Sequence, residues 1–376
     1  MADKQFSYDY IDVKRDVSEV FNTILAKSPV FTSILNLSAQ KATATKHEWK
    51  EFAISPVETA LNAAYTAADW SITVDSTVGF AVGDIIDFEN DTTKARVPFS
   101  AKVTAVTSAT VLAISVYDGT DTDMPDNSIV FKMASPKNEG TDPVANIWDE
   151  PNKEYNYTQI FDRTAKVSKT AENIGIYGIW NTLNFQVEYQ LQQLAYEMEI
   201  SAIRGVRKER SASEAWTMGG LLWYLNKATG NKLDVSWALT ADAINSGMEI
   251  AHANGAPWIT TIIGHPVQTR KTSALTANYQ QVQIVGTQPV VAGVHVKQFV
   301  SDQWDILNIM SGRHFDKDKI NIINPELCSL VPLRAFSDEN AASNWSDYVA
   351  RRILWEYTME VKNAADAHVQ LTNLTV

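Results

Sequence analysis

Six histidines, at positions 47, 252, 265, 295, 314 and 368, are the first residues to test for chemistry. A metal centre needs such ligands clustered, and no two of them stand in an HxxxH or HExxH spacing. His265 lies in a Gly264-His265-Pro266 turn between the run WITTII and a helix start. A histidine placed there could serve a hydrolase or transferase as general base. No Asp, Cys or Ser pattern nearby completes a nucleophile–base pair. His47 beside Glu48 sits in a polar extended stretch and reads as surface. The single cysteine, Cys328, lies in an apolar run, where a thiol is a small core residue and no activated nucleophile. It leaves no intramolecular disulfide. GxSxG, GxGxxG and GxxxxGK[ST] are all missing. Gly219-Gly220 permit backbone geometries with φ > 0 and a tight turn, and they are no phosphate loop, because no Gly-Lys-Ser/Thr follows. These residues nominate no catalytic, cofactor-binding or metal-ligating set, and His265 is the one position left to an enzyme reading.

A long amphipathic stretch at 178–210 organises the rest of the chain. Val187, Leu191, Leu194, Met198 and Ala202 recur at helical spacing, with Gln190, Gln193, Glu197 and Arg204 on the other side. Glu188, Glu197 and Glu199 precede the basic cluster Arg204, Arg207, Lys208 and Arg210, an order that complements the helix dipole. A helix of that length would run about 50 Å.

Composition narrows the class. The chain has 376 residues, 45% apolar and 20% charged, with a net charge of −12. Two or three domains fit that length. The acidic balance argues against a protein that grips nucleic acid through phosphates. The polar N-terminus lacks an apolar signal core, and no run approaches the ~18 apolar residues of a membrane span. A cytoplasmic protein is expected. Eleven tryptophans are scattered along the chain, which points to packing or interfaces rather than one aromatic site.

Residues 1–15 read as a flexible arm, and Val17, Val20, Phe21, Ile24 and Leu25 predict a one-sided helix that Ser28-Pro29 stops. Val30, Phe31, Ile34, Leu35 and Leu37 form a second apolar cluster. An apolar cluster of this kind must pack somewhere, and a neighbouring subunit is the expected host, with its own domain as the alternative. Residues 39–60 read as extended chain anchored by Trp49. From 70 to 133 the pattern turns all-β: WSITVDS, DIIDFEN, VPFSAKVTAV, TVLAISV and IVFKM, separated by turn residues. Looser flanks at 61–69 and 135–149 mark this small barrel or sandwich as an insertion. Thr240 reads as an N-cap with Asp242 in the first turn, and its helix carries Ile244, Met248 and Ala251 and stops at Gly255. WITTII suits a buried strand. From 288 the chain is β-rich, and 348–361 reads as strands or a strand–helix mixture.

The order of these parts resembles the major capsid proteins of tailed bacteriophages, of the Hong-Kong-97-type fold, and most of all their podovirus-type subfamily. The resemblance is carried by SPVFTSIL at 28–35, HEWKEF at 47–52, NYTQIFDRTAKVSKTA at 156–171, YQLQQLAYEMEISAIRG at 189–205 and GGLLWYL at 219–225. VGDIIDF at 82–88 and AKVTAV at 101–106 resemble the small barrel that these proteins carry in their extended loop. The resemblance implies an α+β fold in assigned parts. Residues 1–45 would be the N-terminal arm and 46–170 the extended loop, including a β-barrel at 70–133. Residues 171–235 would be the peripheral domain with the spine helix, 236–325 the axial domain, and 326–376 the closing strands of the peripheral domain.

It also implies a function. The chain would be a structural, non-enzymatic protein of the virion, with no cofactor, that self-assembles into hexamers and pentamers around a double-stranded DNA genome. Its partners would be copies of itself, with portal, scaffold or decoration proteins. It would recognise no specific DNA and no membrane, and it would assemble in the host bacterial cytoplasm. An acidic chain suits a shell from which DNA must later leave. Two other classes compete: a β-domain binding or adhesion protein, which calls for rows of exposed aromatics on the insert, and a hydrolase near His265. A cellular nanocompartment shell is a close variant of the leading reading.

Overall fold

Two helices, α1 (Lys169–Asn173) and α2 (Thr182–Arg204), stand in the middle of the chain. They belong to a computed structural model that describes residues 30–38, 41–51, 57–136, 139, 152–174, 182–228, 230–255, 259–275, 298–301, 306–343 and 345–376. Leu194 and Ala202 of α2 are fully buried, and Val187, Leu191 and Met198 pack against the same cluster. The expected stripe therefore faces the core. The expected helix end at 210 is corrected to Arg204. Gly205 N–H donates to Ser201 O at 2.9 Å and closes the last turn. The chain then turns extended, with Lys208 bridged to Thr217.

Met1–Trp49 and Lys153–Val376 form one unit, and Lys50–Asn152 the other. In the first unit, α2 packs on a four-stranded sheet of β1 (Asn36–Leu37), β10 (Gln159–Ser168), β16 (Cys328–Asn340) and β17 (Tyr348–Val361), in the order β1-β16-β17-β10. Its odd-numbered residues, Phe161 and Ala165 on β10 and Ile353, Trp355 and Met359 on β17, are buried. Residues 348–361, read as strands or a mixture, form one unbroken strand.

A six-stranded sheet completes this unit. It contains β11 (Lys232–Asp234), β12 (Thr261–Gly264), β13 (Gln298–Val300), β14 (Ile306–Ser311), β15 (Ile320–Ile323) and β18 (Val369–Thr372), in the order β11-β18-β15-β12-β14-β13. α4 (Ala241–Ala253) covers it with Ile244, Met248 and Ala251, and the Thr240 hydroxyl accepts Ala243 N–H at 3.1 Å. The predicted cap and helix are both present. WITTII ends in β12, buried at all four positions between β14 and β15. β18 pairs with β11 and β15 here, so the last strand of 326–376 does not join β16 and β17. The cause is register: Leu371 lies opposite Ile320 and Gln370 opposite Asn321, both inside this sheet.

The expected host of the N-terminal apolar cluster is also corrected. Phe31 and Leu35 are buried in this chain's own core, Phe31 edge-on to Phe315 at 5.9 Å. β1 pairs in parallel with Ser329 and Leu330 of β16. The predicted helix at 16–26 lies outside the described residues.

The second unit is all-β. β3 (Glu58–Ala60), β4 (Ser71–Thr73), β5 (Ile85–Asn90), β6 (Ala95–Val106), β7 (Val111–Gly119) and β8 (Ile129–Ala134) form a sheet in the order β3-β8-β5-β6-β7-β4. Its two edges meet, because Leu61 after β3 bridges Val74 after β4. Asn62 N–H donates to Thr73 O and Asp75 N–H to Ala60 O, both at 2.9 Å. The core stacks Phe88 on Phe99 at 5.3 Å. Within 61–69, expected as a loose flank, Leu61 and Tyr65 are buried in this core and Tyr65 bridges Met124, while most of the stretch is exposed.

Candidate functional site: an assembly surface and what holds it

The histidines and the cysteine take structural places. His265 stands ahead of α5 (Pro266–Leu275), where its Nδ1 accepts Val267 N–H at 3.2 Å and its carbonyl accepts the N–H groups of Gln268 and Thr269. It satisfies donors that a helix start leaves free. Burial lowers its pKa, and Lys317 and Arg204 push it the same way. Cys328 is fully buried, its thiol pushed up to about 12 by burial. His368 Nε2 lies 4.0 Å from Cys328 Sγ, and Asn324 N–H donates to His368 Nδ1 at 3.3 Å. Burial pushes His368 down to about 4, against a smaller opposing effect of the Lys362 backbone. A protonated thiol and a neutral imidazole, both sealed in the core, are poorly placed for nucleophilic attack. His314 packs edge-on to Tyr196 at 4.9 Å. His295 lies outside the described residues. Among the described residues no three His, Cys, Asp or Glu converge as metal ligands, and no helix is long and apolar enough to cross a membrane.

His47 is more than surface. On β2 (Lys46–Glu51), its Nε2 lies 2.5 Å from Glu360 Oε1. Burial works to raise the Glu360 carboxyl, but hydrogen bonds from His47, Ser329 and Lys362 outweigh it and hold it at about 2. Trp49, expected as the anchor of this stretch, is buried beside Tyr224 at 6.0 Å.

A second anchor holds β9 (Asn152–Tyr157). Asn156 Nδ2 donates to Gly219 O at 3.0 Å and Met359 O at 2.7 Å, and its Oδ1 accepts Gly219 N–H at 2.8 Å. The Arg207 guanidinium lies 3.9 Å from the Tyr155 ring and 4.3 Å from the Trp223 ring, and it pairs with Glu154. Such a partly buried cation–π stack is worth about 1 kcal/mol. α3 (Leu221–Lys227) starts at Gly220, whose φ is −92°. Neither glycine uses the positive φ that the pair permits. A Cβ on Gly220 would stand 2.7 Å from Ser201 O and 2.8 Å from Ala202 O, so the residue permits close approach of α2 and α3. Sequence reading missed Asn156 and Arg207, because their partners are distant in the chain.

What remains at the surface is apolar and aromatic. Trp345 is 97% exposed, and Trp237, Phe336 and Ile160 are about half exposed or more. Phe185 and Tyr189 stand one turn apart on α2. Among the described residues of the second unit the large exposed apolar ones are mainly Val, with Met133 and the two aromatics Trp70 and Tyr117. Scattered large apolar side chains on a surface are ordinary.

A family model described as SU10 major capsid protein matches residues 3–375, and the chain belongs to that family. It is a major capsid protein, a structural protein of a capsid shell. No curated protein matches it. Solved structures similar to it include one of Mycobacterium phage Adephagia, with 10% identity, 100% of this chain and 99% of that chain covered, and a TM-score of 0.49. One of Microbacterium phage Oxtober96 shows 10% identity, 97% coverage of each chain and a TM-score of 0.48. The capsid of a native GTA particle shows 10% identity, 98% coverage of each chain and a TM-score of 0.49.

Proposed function

We propose that this capsid protein self-assembles into hexamers and pentamers that close into the icosahedral or prolate head of a tailed phage, around double-stranded DNA. The reading rests on the family match across nearly the whole chain. In it the fold is of the Hong-Kong-97 type and the podovirus-type subfamily. Segment 46–170 is the extended loop, and the all-β unit is a small barrel inserted in it; the Leu61–Val74 bridge between its sheet edges supports a barrel. Segment 1–45 is the arm, 171–231 and the paired strands β16 and β17 make the peripheral domain, and 232–325, which includes β11, with β18 makes the axial domain. Assembly takes place in the host cytoplasm, with portal, scaffold or decoration proteins as further partners and DNA enclosed without specific recognition. Negative-stain microscopy of the purified full chain tests this. Closed shells or rings of five and six are the expected result. A protein that stays monomeric in sedimentation at high concentration would sink the proposal.

A further inference from the structure

The two units of this chain carry very different charge. Segment 50–152 holds sixteen Asp and Glu against six Lys and Arg, a net charge of −10. The remainder holds 28 against 26, a net charge of −2. We infer that a cationic cluster on the first unit is an interface, and that the acidic all-β unit of a second copy docks on it. The inference rests on the shell reading and names a contact within it.

The cluster stands on the turn between β14 and β15, GRHFDKDK at 312–319, and at the C-terminal end of α2. Asp316 is shared by Arg204 at 2.5 Å and Lys319 at 3.6 Å. Arg313 and Lys317 are exposed, and among the described residues neither is paired with a carboxylate. Four cations thus stand against Asp316 and Asp318. Glu199 is already bound to the amides of Phe31 and Thr32. Two histidines feel the resulting field. Burial lowers the pKa of both His265 and His314; Lys317 and Arg204 add to the first effect, and Arg313 and Arg204 to the second, where Glu199 opposes them. Like charges gathered in this way repel in the free subunit, and an anionic partner relieves them.

The all-β unit is such a partner. Asp69, Asp121 and Asp123 gather around the Tyr65 hydroxyl, which donates to Asp121 Oδ1 at 3.0 Å. Ala68 N–H donates to Asp121 Oδ2 at 2.6 Å, and Ala67 N–H to Asp123 Oδ1 at 2.7 Å. These bonds fix two carboxylates in place without neutralising them. Three of the unit's cations are engaged elsewhere: Lys94 with Asp91, Arg96 with Asp87 and Lys132 with Asp84. Fixed carboxylates on one surface and unpaired Arg313 and Lys317 on the other are complementary. Since the two surfaces differ, the contact runs head to tail, the kind that closes into rings. A nucleic acid would instead bring its phosphates against Asp316 and Asp318 within the cluster, in a chain of net charge −12.

The test uses the full chain. Arg313→Glu combined with Lys317→Glu should melt like wild type and raise the concentration needed for assembly about tenfold, read by sedimentation. Asp69→Lys combined with Asp121→Asn should do the same, the amide keeping an oxygen for Tyr65 and Ala68. Arg313→Gln with Lys317→Gln, a milder change, should move assembly in the same direction. Joining Lys317→Glu to Asp69→Lys should assemble better than either change alone. A carbodiimide, which joins a carboxylate to an amine in contact, should link Lys317 to Asp69 or Asp123. In assemblies grown from mixed heavy- and light-isotope chains, these linked peptides should include heavy–light pairs. Assembly of the charge-altered variants at the wild-type concentration, a joined variant no better than its parents, or links confined to one chain would overturn the inference and leave the shell reading standing. If wild type itself forms no assemblies, the shell reading fails and the inference goes with it.

Discussion

Glu199 Oε1 accepts the backbone N–H of Phe31 at 2.8 Å, across 168 positions of sequence. The other oxygen, Oε2, accepts Thr32 N–H at 2.8 Å. One buried carboxylate on the long helix thus holds two successive amides of the N-terminal segment, while the Phe31 ring enters the core beside it. Hydrogen bonds to a charged acceptor contribute about 1.5–3 kcal/mol each.

Glu199→Ala should therefore lower stability by about 3–5 kcal/mol, since it strands both donors. The loss should appear in urea unfolding, with new proteolytic cleavage near 30–38 before global melting. If the variant unfolds like wild type, the carboxylate is not what holds this segment.

The helix crossing gives a sharper contrast. A Cβ on Gly205 would stand 2.3 Å from Ser201 O and 2.4 Å from Met218 O, both backbone atoms, whereas one on Gly230 would meet nothing within 4 Å. Gly205→Ala should destabilise by roughly 3 kcal/mol or more, because backbone must move. Gly230→Ala should change stability by less than about 1 kcal/mol. Equal midpoints for the two variants in denaturant would refute the close-approach role.

Acid should weaken the subunit in two stages. His368 is held at about 4 in the fold against an ordinary 6.5, so its folded value is depressed. Its contribution is complete above 6.5 and is lost as pH falls from 6.5 through about 4. Glu360 is held at about 2 against 4.5, so its contribution is present above 4.5 and lost as pH falls toward 2. The total should amount to a few kcal/mol. Urea midpoints at pH 7, 5 and 3 should decline stepwise. His368→Gln should flatten the first stage alone, and an unchanged decline from pH 7 to 5 in that variant would remove His368 from the account.

The all-β unit should be removable only with its full set of strands. Replacing 57–136 by a Gly/Ser linker should leave the remaining unit folded by circular dichroism and resistant to protease. Removing 70–133 alone keeps Leu61 and Tyr65, which the second core buries, and should yield a less soluble protein. Global unfolding of the 57–136 deletion would show that the first unit depends on it.

Local features were legible from sequence where local chemistry decides them. Leu194 and Ala202 declare a buried helix face by spacing, and Thr240 declares a helix start by its side-chain oxygen. The five β-branched runs of the second unit all became strands. What sequence hides is pairing at long range. Glu199 looks like one more acidic residue ahead of a basic cluster, and His47 like a surface residue, until the fold brings Phe31 and Glu360 to them. The role of the glycine pair stayed open because a requirement for space and a requirement for positive φ look the same in a sequence. β18 was misassigned because it enters its sheet by register against Ile320 and Asn321, residues in a different segment.

The Leu61–Val74 bridge has a further effect on how this protein behaves in bulk. An open sheet offers a row of unpaired amides and carbonyls that another sheet can extend, and crowding favours that reaction. A shell concentrates its subunits at fixed spacing, so every free strand edge lies close to identical ones. By pairing Asn62 with Thr73 and Asp75 with Ala60, the second unit spends its two edges on each other. Its sheet then has little left with which to nucleate fibres, and the crowded chains remain available for ordered growth.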